Sequence, residues 1–160
     1  KAWQILCDIS RKQFQVIYDR LEIRVEEVGE SFYNPLLKPM IEELVQRGIA
    51  VKDKGATCIF IPGQKVPLMI QKTDGGFNYD TTDMAAIRYR IHEKKADRLV
   101  YITDIGQEFH FKLVFEGAKL AGYYDPNVTR VDHMGFGLIL QRVEEEKEEG
   151  QEAKKEEVKQ

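Results

Sequence analysis

From residue 82 onward the sequence alternates between helical and extended periodicities, and this limits the possible folds more than any other feature. Residues 82–95 predict a helix, the apolar run 98–103 a strand, 107–121 a second helix and 129–133 a second strand. Strands separated by helices of this length imply parallel pairing through right-handed crossovers, hence an α/β layered architecture. In such sheets ligands collect at the carboxyl ends of strands. The segments expected there are Asp104-Ile105-Gly106-Gln107 and His133-Met134-Gly135-Phe136-Gly137.

Upstream, Trp3, Leu6, Phe14, Ile17, Tyr18 and Leu21 recur at helical spacing and predict an amphipathic helix over 2–21. Alternation across 22–26 suggests a half-exposed strand broken at Gly29. Asn34-Pro35 opens a helix over 35–47, with Asn34 as cap and Gly48 as its stop. Two β-rich runs, 57–61 and 67–71, flank a turn containing Pro62-Gly63 and predict a hairpin. The expected fold is α/β, a mostly parallel sheet with flanking helices and a β-hairpin.

After Gln141 the composition changes. Residues 143–160 hold eight acids and four lysines, a net −4 within a chain of net −3, and only three apolar side chains. The expectation is an ordered unit over 1–142 followed by an acidic, disordered tail over 143–160. The ordered part is close to neutral, so charge gives no basic nucleic-acid footprint. No apolar run reaches the length of a membrane span, and Asp8 interrupts the first apolar stretch, unlike a signal peptide. A cytoplasmic protein with no membrane association is expected. Cys7 and Cys58 lack CxxC spacing or neighbouring histidines, so neither a disulfide framework nor a metal site is expected.

Three segments set polar side chains beside glycines: 74–83, 104–111 and 133–137. The first can be a turn followed by a capped helix, with Thr81 or Thr82 as cap. It can also be a ligand site, because Tyr79 and Asp83 lie four apart across a helix entrance and could converge on one cation. A planar guanidinium suits them best, since a carboxylate accepts two parallel N–H bonds from it. His92, among charged neighbours, is expected at the surface.

The succession GESFYNPLL (29–37), QKTDGGFNYDTTDMAA (71–86), DIGQEFHF (104–111) and HMGFG (133–137), in this order and spacing, closely resembles arginyl-tRNA synthetases. The resemblance runs from about residue 1 to 140. It implies a Rossmann-type class I synthetase catalytic domain that activates arginine with ATP and transfers it to tRNA-Arg, with Mg2+ accompanying the nucleotide and no tightly bound cofactor. By similarity, Tyr79 and Asp83 match residues that recognise the substrate guanidinium, with Glu30 as a second carboxylate nearby. Gln107 matches the residue that binds the polar main-chain end of arginine. His133, Gly135, Phe136 and Gly137 match the segment along the adenosine, and His110 is assigned to the same ATP pocket. No residue is assigned to chemistry itself.

The family's upstream HIGH-type and downstream KMSKS-type motifs have no counterpart within these residues. The expectation is therefore the arginine-binding part of a ligase, inactive in isolation because the phosphate-stabilising groups are elsewhere. The alternative is a truncated, non-catalytic paralogue that acts as an arginine-binding or protein-interaction module.

Overall fold

The computed structural model describes residues 2–137, so the expected tail at 143–160 lies outside the described residues. The chain begins with helix α1 (Ala2–Arg20). A short 3-10 turn (Glu30–Tyr33) leads into α2 (Asn34–Gln46), and strands β1 (Val51–Asp53), β2 (Ala56–Ile59) and β3 (Leu68–Gln71) follow. Helix α3 (Tyr79–His92), β4 (Arg98–Asp104), a second 3-10 turn (Ile105–Gln107), α4 (Glu108–Leu120) and β5 (Arg130–Phe136) complete the order.

The α/β character and the parallel crossover are as expected. β4 and β5 pair in parallel from Arg98 opposite Arg130 to Asp104 opposite Phe136, with α4 as the crossover. β2 and β3 form the expected antiparallel hairpin. β1 adds a third, unexpected strand, so among the described residues parallel pairing is confined to β4 and β5. The signal for β1 is the two-residue turn Lys54-Gly55, whose φ values of 47° and 88° match the twist of an antiparallel hairpin.

Three local expectations are corrected. Residues 22–26 form no strand; Ile23 N–H donates instead to the Tyr18 carbonyl at 2.8 Å, which closes the end of α1. Asn34 lies inside α2, with Tyr33 in the capping position and no side-chain cap bond. α3 starts at Tyr79 rather than Thr82, because Asn78 is its cap and Thr81 the reciprocal partner in a capping box.

α3 is the centre of the molecule. Met84, Ala85, Ala86 and Ile87 are consecutive and all buried, which a helix allows only when neighbours cover several of its sides. Here α2, β3 and α4 do so. Leu44, Ile59, Leu68, Ile70 and Val114 fill the space between these elements. Each such aliphatic side chain contributes about 1.5–3 kcal/mol through burial. This packing fixes the start of α3 beside the start of α4. By contrast, α1 has no fully buried residue and is tied to the following segment by the Arg11–Glu27 ion pair at 2.7 Å.

Candidate amino-acid site at the start of helix α3

The loop before α3 turns at Gly75, whose φ of 82° is left-handed and suits a residue without Cβ. Asn78 Oδ1 then accepts from Thr81 N–H at 3.2 Å, and Thr81 Oγ1 accepts from Asn78 N–H at 3.3 Å. This box fixes the first turn of α3, so Tyr79, Asp80 and Asp83 project from a defined frame. Tyr79 is exposed, and its ring meets the His110 ring edge-on at 4.8 Å.

His110, in the first turn of α4, is gripped on both sides. Its Nε2 lies 2.6 Å from Asp83 Oδ2 and its Nδ1 lies 3.0 Å from Asp80 Oδ1. Both ring nitrogens thus face a carboxylate, and only the imidazolium can donate to both. Burial pushes the His110 pKa down, but the hydrogen bonds to Asp80 and Asp83 and the charges behind them outweigh it and raise it to about 9. At neutral pH the cluster is two carboxylates and one imidazolium, which leaves one negative charge. The side chain of His110 is 12% exposed and that of Asp83 27%, so water reaches the carboxylate more readily than the ring.

Glu30 approaches the same helix entrance, where its Oε1 accepts from Thr82 Oγ1 at 3.3 Å. Gln107 precedes α4 and is exposed, and among the described residues no hydrogen bond joins its side chain to Tyr79 or Asp83. The structure therefore brings Tyr79, Asp83 and His110 into contact, sets Glu30 one residue away through Thr82, and among the described residues joins Gln107 to none of them by a hydrogen bond. Asp80 is the participant that sequence reasoning missed. Its signal was the spacing of Asp80 and Asp83, three apart on a helix and hence neighbours on one face.

Of the residues expected along the nucleotide, His133, Gly135 and Phe136 lie in the C-terminal half of β5, and Gly137 follows its end. His133 Nε2 is 2.8 Å from Thr103 Oγ1, and its ring stacks on Phe111 at 5.0 Å. Gly135 has a packing reason to lack a side chain: a Cβ there would stand 2.9 Å from Ile105 Cα. Phe136 and Gly137 are exposed, and a Cβ on Gly137 would meet nothing within 4 Å among the described residues. Among the described residues no group of three or more His, Cys, Asp or Glu side chains has metal-holding geometry. A groove of about 740 Å³ runs between α1 and residues 25–27, away from the carboxylate cluster.

The family described as tRNA synthetases class I (R), catalytic domain, matches residues 1–155. The arginine–tRNA ligase of Protochlamydia amoebophila is 50% identical over 146 residues, covering 88% of this chain and 25% of that protein. The cytoplasmic arginine–tRNA ligase of Rattus norvegicus is 49% identical over 140 residues, covering 88% of this chain and 21% of that protein. The crystal structure of arginyl-tRNA synthetase from Plasmodium falciparum superposes with a TM-score of 0.79 at 39% identity, over 87% of this chain and 25% of that one. The chain spans about a quarter of the length of the curated relatives it matches. Among the described residues no helix is long and apolar enough to cross a membrane.

Proposed function

The chain belongs to the arginyl-tRNA synthetase family of class I catalytic domains, and from that premise we propose that it supplies the arginine-recognising part of a cytoplasmic arginine–tRNA ligase. The whole enzyme would activate arginine with ATP and pass it to tRNA-Arg. Asp83 receives the guanidinium, Tyr79 flanks it, Glu30 supplies a second negative charge and Gln107 takes the polar main-chain end. His133, Gly135, Phe136 and Gly137 line the adenosine side. Mg2+ enters with the ATP phosphates.

The observation that carries this reading is the net negative cluster at the start of α3, with Asp83 Oδ2 held by His110 beside the exposed Tyr79 ring. A held carboxylate suits a planar fork better than a compact ammonium, because it can meet two N–H groups at once. Lysine would satisfy the charge and leave that geometry unused.

The test is arginine-dependent ATP–pyrophosphate exchange by the intact polypeptide that carries this segment. Asp83→Asn should raise the arginine KM at least about 30-fold, corresponding to roughly 2–5 kcal/mol for an unpaired, desolvated charge. The ATP KM should stay within a few-fold of wild type. An equal rise in both constants, or a rise in neither, would defeat the assignment.

A further inference from the structure

We propose that His110 is a positioning residue for arginine recognition: wedged between Asp80 and Asp83, its ring fixes the Asp83 carboxylate at the entrance of α3 and presents its second oxygen to the guanidinium. The inference rests on the arginine site proposed above. It moves His110 from the nucleotide side, where sequence similarity assigned it, to the amino-acid side.

The two carboxylates are engaged differently. Asp80 is committed within the protein on both oxygens: Oδ1 faces His110 Nδ1 at 3.0 Å, and Oδ2 accepts from Asn78 Nδ2 at 3.3 Å. Asp83 is committed on one. Its Oδ2 takes His110 Nε2 at 2.6 Å, while among the described residues Oδ1 accepts no side-chain hydrogen bond. A carboxylate oxygen holds two lone pairs, so even Oδ2 retains room for a second donor. Asp80 thus anchors the ring, the ring anchors Asp83, and Asp83 keeps its outer edge for a ligand. The remaining charge is −1, which one guanidinium neutralises.

The groups around the ring agree with this direction of action. From α3 come Tyr79, Asp80 and Asp83; from α4 itself Phe111, against which the His110 ring packs at 4.9 Å. From β4 comes Tyr101, whose phenol is pushed up to about 12 chiefly by burial and therefore stays neutral. From β5, His133 stacks on Phe111. The charges facing His110 are the two carboxylates, and they hold the imidazolium form to about pH 9. When the ring loses that proton it can donate through only one nitrogen, so one carboxylate is released.

The experiment measures arginine and ATP KM for the intact polypeptide across about pH 6.5 to 9.5, a window that spans the free and held histidine. In wild type the arginine KM should rise as pH passes about 9. His110→Gln, which cannot hold both carboxylates as a cation, should raise the arginine KM about tenfold at neutral pH, the size of one charge-assisted hydrogen bond, and lose the alkaline rise. Asp80→Asn should move that rise to lower pH, because one of the charges holding the proton is gone. Arginine's own amino group titrates in the same alkaline range but identically for every variant, so the effect is read as a difference between profiles. A purely structural His110 would lower the melting temperature while leaving the arginine profile and the ATP KM in step. If Asp83→Asn raises the arginine KM but His110→Gln changes neither its value nor its pH dependence, the positioning role is wrong and the arginine site stands. If Asp83→Asn itself has no effect, the arginine site falls first. Should His110→Gln fail to fold, an alkaline limb unmoved by Asp80→Asn overturns the proposal.

Discussion

Thr81 Oγ1 donates to the carbonyl of Ile70 at 2.7 Å, so the first turn of α3 is fastened directly to β3. The same hydroxyl accepts from Asn78 N–H, and the residue is fully buried. One side chain therefore closes the cap that aims Tyr79, Asp80 and Asp83 and fixes that cap to the sheet.

Thr81→Val keeps the shape and removes both bonds. It leaves the Ile70 carbonyl buried without this partner and opens the capping box. The expected cost is roughly 1–3 kcal/mol, measured as a shift in the urea midpoint of the intact protein at constant slope. The midpoint of Thr81→Ser should stay closer to wild type, because serine keeps the hydroxyl. A loss for Thr81→Ser with Thr81→Val unchanged would show that the methyl group, not the hydrogen bonds, matters here.

Gly135 tests whether the glycines of the 133–137 segment serve packing or ligand approach. A Cβ at this position meets Ile105 backbone at 2.9 Å, and backbone cannot swing aside as a side-chain tip can. Gly135→Ala should destabilise by about 1–3 kcal/mol, the range for overpacking. Gly137→Ala meets nothing within 4 Å among the described residues and should leave stability unchanged. A rise in ATP KM from Gly137→Ala, with the melting temperature constant, would mark that glycine as serving the nucleotide. If Gly135→Ala left the melting temperature unmoved, the close approach of Ile105 would not be what requires glycine there.

Much of this arrangement was legible in the sequence, and what was not has identifiable physical causes. The helix–strand alternation after Tyr79 is strong because each element is long and its neighbours are apolar, so β4, α4 and β5 follow from periodicity alone. β1 is three residues long and polar at Lys52 and Asp53, too short for alternation to register. Residues 22–26 alternate like a strand, but among the described residues no strand pairs with them, and pattern without a pairing partner makes no ladder. Thr81 and Thr82 both look like caps, and the competition with Asn78 is settled only by the bond from Thr81 to Ile70, a contact across 11 residues. Tyr79 and Asp83 were visible as a pair through their spacing. The contact of Asp80 with His110 was not, because it depends on α3 packing beside α4.

Tyr79 offers a finer probe of the same site. Tyr79→Phe keeps the ring that meets His110 edge-on and removes only an exposed hydroxyl, so the fold should be unaffected. A neutral hydrogen bond from that hydroxyl to the ligand is worth about 0.5–1.5 kcal/mol, and the arginine KM should rise about two- to tenfold. Steady-state kinetics with Tyr79→Phe and Tyr79→Leu separate the two parts of the side chain. If Phe and wild type match while Leu is impaired, the ring alone contributes and the hydroxyl has no ligand.

The stability of the fold should depend on pH through His110, and the sign follows from its partners. In the unfolded chain a histidine titrates near 6.5, whereas Asp80 and Asp83 raise the folded value to about 9. A group whose folded pKa lies above its unfolded one stabilises fully at pH below the unfolded value. That contribution then declines as pH rises through the interval and is gone above about 9. Wild type should accordingly lose melting temperature between about pH 6.5 and 9, and His110→Gln should lose less over the same interval, since glutamine carries no titrating proton. Other alkaline ionisations, such as that of Lys94 beside Glu26, are common to both proteins and cancel in the comparison. Parallel melting curves for the two proteins across this interval would mean that His110 is neutral in the fold, and the double grip by Asp80 and Asp83 would then have to be redrawn with a single donor.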